Sequence, residues 1–101
     1  MTSEEISAAF ERHEDEFLRW DRVPAERRRH CRKDIHVFLT LHDKFPSDQG
    51  ERGVDIVSWS GHDEYGLEVN PEDENTLDDD DVRDLVRAGL RLYDGGFCMF
   101  A

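Results

Sequence analysis

Ile35-His36-Val37-Phe38-Leu39-Thr40-Leu41-His42 is the stretch on which the layering of this chain turns. Ile35, Val37, Leu39 and Leu41 alternate with His36, Phe38, Thr40 and His42. Alternation with period two predicts a strand, with the first set as the better core face. The polar residues 44–53, with Pro46, Gly50 and Gly53, suit a hairpin-type connection better than a parallel crossover. Residues 54–60 then read as a second strand, Gly61-His62-Asp63 as a turn, and 64–69 as a third strand of an antiparallel meander.

Upstream of this stretch, helical spacing of Ile6, Phe10, His13, Phe17 and Trp20 predicts one amphipathic helix over 3–20. Thr2 and Glu5 stand at capping-box spacing at its start. Pro24 suits the first turn of a shorter helix running to about residue 33. Downstream, Asn70-Pro71 breaks the third strand. A further helix begins among residues 78–81, carries Val82, Leu85, Val86, Leu90 and Tyr93 on one stripe, and stops at Asp94-Gly95-Gly96. Residues 97–101 can add a last short strand. The expected fold is α+β: a single domain over 1–101, with a small, mainly antiparallel sheet of three to four strands and helices packed on one face.

Leu, Ile, Val and Phe number 24 of 101 residues, above the roughly 20% below which a highly charged chain stays disordered. Twenty-five acidic residues against 13 basic ones give a net charge of −12. That charge opposes direct contact with nucleic acid or anionic membrane and attracts basic partners. No stretch approaches the roughly 20 apolar residues of a membrane helix, and Met1-Thr2-Ser3-Glu4-Glu5 lacks the basic and apolar regions of a secretion leader. With Cys31 and Cys98 as the only cysteines, the expected setting is the cytoplasm, with both as reduced thiols. Arg outnumbers Lys 11 to 2, a bias that a GC-rich genome or salt adaptation also produces.

The charge is uneven. Residues 1–50 hold 11 acids and 9 bases, whereas 51–101 hold 14 acids and 4 bases. Ten acids fall between positions 63 and 81 with no Lys or Arg among them: Asp63, Glu64, Glu68, Glu72, Asp73, Glu74, Asp78, Asp79, Asp80 and Asp81. Such a run is either a solvated loop and helix start or a surface that docks on a basic protein, the self-repulsion favouring a cationic partner. It is not an EF-hand, because with Asp73 as first ligand Leu77 falls at the fifth position and Asp78 where glycine is needed. Phe38, opposite the better core face of its strand, and Trp59 are the aromatic candidates for anchoring a partner.

Chemistry is harder to find. His36, His62 and Asp63 form the easiest metal cluster to bring together but lack an evident fourth ligand. A small metal-binding protein or metal-dependent enzyme built on these three is the alternative reading. No nucleophile elbow, phosphate loop or dinucleotide fingerprint occurs, so no enzyme activity and no cofactor are expected.

His62-Asp63-Glu64, the stretch Asp81-Val82-Arg83-Asp84-Leu85-Val86-Arg87-Ala88-Gly89, and Phe97-Cys98-Met99-Phe100 together resemble the tails of small phage or prophage proteins, over about a third of the chain. Size, acidity and the lack of catalytic motifs are similar to phage-encoded inhibitors of host defence, including anti-CRISPR proteins and DNA mimics. The resemblance implies a non-catalytic inhibitor that occupies a basic, nucleic-acid-binding surface of a target protein or complex, in the host cytoplasm if phage-encoded. No functional residue carries over from it.

Overall fold

Asp94 and Gly95 both have positive φ, 51° and 77°, as a two-residue turn matched to strand twist requires. They join β3 (Leu90–Tyr93) to β4 (Gly96–Phe100) as an antiparallel hairpin. The computed structural model describes residues 1–46, 57–61 and 63–100, without the side chains of Ser58 and Trp59. In it β1 (Val57–Ser60) pairs with β2 (Glu64–Leu67), and β2 pairs with β4. The sheet is antiparallel throughout, in the order β1-β2-β4-β3.

Register sorts the side chains into two faces. Leu90 lies opposite Met99, Leu92 opposite Phe97, and Tyr65 opposite Met99, so these residues share one face. The helices cover that face. From α1 (Ser3–Arg12), the Phe10 ring lies 6.1 Å from that of Phe97. Phe45, which ends α2 (Lys33–Lys44), meets Phe97 edge-on at 5.9 Å, and Phe38 of α2 lies 6.3 Å from Tyr65. From α3 (Asp79–Arg87), Val82, Leu85 and Val86 complete a core with Ile6, Val37, Leu41, Leu77 and Leu90. Glu64, Arg91 and Cys98 belong to the opposite face, where Arg91 ion-pairs with Glu64 and the Cys98 thiol donates to Glu64 at 3.4 Å. The chain is thus α+β, with helices against an antiparallel sheet.

The strand expected over 35–42 is a helix. Its buried residues are His36, Val37, Thr40 and Leu41, which recur at helical spacing and continue into buried Phe45. Leu39, a core position in the strand reading, is 42% exposed. An apolar run this short satisfies both periods, and the tertiary site for Val37, Leu41 and Phe45 selects the helix. The meander therefore loses its expected first strand, and the sheet gains β3 instead.

β3 arises where the last helix was expected to continue to Tyr93. Gly89, at φ +99°, ends α3 in a conformation that only glycine adopts freely, and the chain leaves it as a strand.

The first helix is likewise shorter than 3–20. It stops at Arg12 and is followed by 3₁₀ turns at Glu14–Glu16 and Trp20–Arg22. Three consecutive acids oppose the negative end of a helix dipole. Leu18, at φ 62°, turns the chain so that its N–H donates to the Val86 carbonyl. Phe17 and Trp20 consequently pack away from the α1 stripe, against Phe100 and His36.

The expected helix from Pro24 to about 33 reduces to one 3₁₀ turn, Ala25–Arg27. The arginines diverge to separate acceptors: Asp84 for Arg27, the Val23 and Trp20 carbonyls for Arg28, and Asp43 for Arg29. The second expected strand appears as β1, its first three residues lying outside the described ones. The connection over 44–53 and the final Ala101 of the last expected strand also reach beyond the described residues.

Candidate functional site

The acidic run of 63–81 divides into two groups. Asp78 is the N-cap of α3, accepting from the Asp81 N–H at 2.8 Å, while Asp81 accepts from the Asp78 N–H in return. Asp79 takes Arg12, and His13 Nε2 lies 2.9 Å from its other oxygen. Those two bonds, Arg12 first, hold the Asp79 carboxyl below the usual range. Asp80 pairs with Arg83 at 3.2 Å, and Asp81 faces Lys44 at 3.5 Å and Arg27 at 3.9 Å. Glu64 is held below its ordinary pKa chiefly by Arg91. Asp63 sits exposed in the β1–β2 turn at φ 68°.

Glu68, Glu72, Asp73 and Glu74 keep no cationic partner among the described residues, and neither does Asp78, whose carboxylate is engaged in capping α3. Asn75 anchors their loop, accepting from the Met1 ammonium and donating to the Met1 carbonyl. Phe38 is half-buried against Tyr65 rather than displayed as an anchor. Trp59 lies opposite Gly66 in register, and its side chain is outside the described ones.

Other uncompensated carboxylates stand on the far side of α1. Glu11, Glu14 and Asp15 rim a groove of about 610 Å³ floored by Phe10, Phe17 and Leu92. A second groove adjoins it through Ser7 and Leu92, and is bordered by Glu4, Glu72, Asp94 and Tyr93. None of these six acids has a cation within ion-pair distance among the described residues. Only Glu72 belongs to the run singled out from sequence. Glu4, Glu11, Glu14 and Asp15 lie within the helix expected over 3–20, off its apolar stripe. No local signal marked them, because in the expected helix over 3–20 Arg12 and Arg19 stand three and four residues from Asp15 and offset its charge.

His36 lies on buried helix surface, 3% exposed, within a cavity of about 490 Å³ also lined by Arg27, Thr40, Lys44, Asp81 and Asp84. Its Nδ1 accepts the Arg29 N–H at 3.0 Å, which puts the ring proton on Nε2. Nε2 is buried without a hydrogen-bond partner among the described residues, and burial pushes the imidazole down to about 4. A metal ligand or general base needs a free lone pair, and the lone pair of neutral His36 is already engaged. Of its expected metal partners, Asp63 is exposed in a turn and His62 lies outside the described residues. Among the described residues no three His, Cys, Asp or Glu side chains are grouped to hold a metal.

Cys31 is exposed and Cys98 buried, both as free thiols; burial, then the bond to Glu64, pushes the Cys98 thiol up. Among the described residues no helix is long and apolar enough to cross a membrane. Compared with known proteins, the chain matches no family model, no curated protein and no solved structure.

Proposed function

We propose that this protein is a non-catalytic binding protein. It docks through negative charge on a basic surface of another protein, of the kind that otherwise holds nucleic acid, and inhibits that partner by covering it. One observation carries the reading. Glu4, Glu11, Glu14, Asp15, Glu72 and Asp94 gather around two adjoining grooves with partly apolar linings, and none of the six has an ion-pair partner among the described residues; Arg91, which also lines the first groove, is paired with Glu64. Carboxylates left in that state repel one another, and a cationic partner relieves the repulsion while the field of the whole protein speeds encounter. The net charge of −12 directs the protein to a basic protein rather than to nucleic acid itself. The exposed thiol of Cys31 suits a reducing cytoplasm.

The test is a partner recovered from the source cell and then purified. It should bind nucleic acid on its own, and added protein should displace that nucleic acid. Raising salt from low to physiological ionic strength should weaken the complex roughly tenfold or more. A partner whose nucleic-acid binding survives saturation with this protein would sink the proposal.

A further inference from the structure

His36, Thr40 and Lys44 recur every four residues along α2 and form one row on its surface. That row lines the polar cavity of about 490 Å³, together with Arg27 and Arg28 from the segment before α2 and Asp81 and Asp84 of α3. A buried donor without an acceptor is costly, and the N–H at His36 Nε2 is such a donor among the described residues. The Trp20 ring, tilted by 60° at 5.1 Å, offers it at most a weak π face. Two guanidinium groups also hold donors in reserve. Arg27 engages Asp84 through Nε, and Arg28 engages the Val23 and Trp20 carbonyls through Nε and Nη2. Nη1 of each donates to no atom among the described residues, and Arg28 has no carboxylate partner among them. The acids of the cavity wall are otherwise occupied: Asp78 caps α3, Asp81 accepts from the Asp78 N–H and faces Lys44, and Asp84 holds Arg27. Glu26 is exposed at the rim. Besides burial, Asp84 favours the charged form of His36, whereas Arg29, Arg27 and Arg28 oppose it, so three cations and one anion bear on the ring.

We propose that this cavity binds a phosphate group, free or carried by a small metabolite, with the N–H of His36 Nε2 as its buried donor and Arg27 and Arg28 as its cationic ones. The Arg29 N–H on Nδ1 holds the ring in the tautomer that donates from Nε2. Guanidinium groups suit an oxyanion, because their N–H groups match its oxygens in pairs. A cation cannot accept the Nε2 proton, and a neutral carbonyl would leave Arg28 without a counter-charge. The site is separate from the acidic grooves and needs no protein partner, so it stands or falls independently of the docking reading.

The probes are inorganic phosphate and ribose 5-phosphate, titrated into the intact protein at neutral pH, with sodium chloride at matched ionic strength as the control. The imidazole N–H of His36 is followed by NMR. Phosphate, and not chloride, should shift the Nε2–H resonance saturably and raise the melting temperature as its concentration rises. Tighter binding of the sugar phosphate would identify a carried phosphate, and equal or weaker binding the free ion. His36→Asn, which keeps an acceptor for the Arg29 N–H, should weaken phosphate binding roughly tenfold. Glu26→Gln, at the exposed rim, should tighten it roughly threefold by removing a like charge. A resonance unmoved by both phosphates would leave the N–H on Trp20 or on water and overturn the site. So would an equal response to chloride, or unchanged binding in folded His36→Asn. Should that variant fail to fold, the resonance of the unaltered protein decides.

Discussion

Arg27 Nε donates to Oδ2 of Asp84 at 2.5 Å, joining positions 57 residues apart. The other carboxylate oxygen faces Arg83 at 3.2 Å and Arg87 at 3.3 Å, and the Asp84 side chain is only 3% exposed. One buried acid therefore ties α3 to the arginine-rich segment that precedes α2. Asp84→Ala leaves three guanidinium groups around a vacated site, so it should destabilise the protein by about 3–5 kcal/mol. Arg27→Ala should cost less, since Arg83 and Arg87 remain on the carboxylate. Urea unfolding followed by circular dichroism measures both; an Asp84→Ala midpoint equal to wild type would contradict this assignment.

His36 makes stability depend on pH in a defined window. Its imidazole titrates near 4 in the fold against an ordinary 6.5, chiefly because burial disfavours the cation. Between those values the unfolded chain binds the proton and the folded one does not, so stability falls as pH drops from about 6.5 towards 4 and this contribution levels off below. The full effect is roughly 3 kcal/mol. His36→Asn keeps an acceptor for the Arg29 N–H and removes the titration. Unfolding free energy of that variant should lose this part of the slope between pH 6.5 and 4; an unchanged slope would assign the titration elsewhere.

Asp78 separates structural from interactive carboxylates within one acidic run. As the N-cap of α3, it should cost about 1 kcal/mol when replaced by alanine. Glu72→Ala, at an exposed position with no described side-chain partner, should stay within about 0.5 kcal/mol of wild type. Thermal melts of the two variants check the contrast, and equal shifts would refute it.

The legible features were those with a local cause. The Thr2–Glu5 box is present, as are the buried positions Val82, Leu85 and Val86, whereas Asp94-Gly95, expected to stop a helix, turns a hairpin. What was not legible depends on distant residues. Asp79 looks uncompensated within its own segment, yet Arg12 and His13 reach it from 67 and 66 positions away. The acidic grooves beside β3 could not be read, because β3 itself lay hidden in the apparent continuation of α3. The docking site offered by charge density along the chain thus differs from the one offered by charge left over after folding.

Gly89 is the residue that divides α3 from β3. Its φ is +99°, and an added Cβ would lie 2.9 Å from Cδ2 of Leu18, itself the positive-φ residue of the preceding wrap. Gly89→Ala should therefore destabilise by about 1–3 kcal/mol through backbone strain and crowding together. Leu18→Ala in the same background relieves only the crowding. A double-mutant cycle by urea unfolding should thus show positive coupling that recovers part of the loss; no coupling would mean the two side chains do not meet.

Leu39 and Leu41 decide between helix and strand at the stretch that governs the fold. In a strand they face the same side and should respond alike to substitution. In α2 they diverge: Leu41 is 2% exposed within the core and Leu39 is 42% exposed. Leu41→Ala should cost about 2–5 kcal/mol by opening a cavity beside Val37 and Phe45. Leu39→Gln, which keeps helix propensity on a solvated face, should remain within about 0.5 kcal/mol of wild type. The comparison is free of any assumption about partners, because it reads only the unfolding of the isolated chain. Equal, large losses at both positions would restore the strand and remove the surface on which Phe45 packs against Phe97. A loss at Leu41 alone fixes α2 as the layer that closes the core over β4.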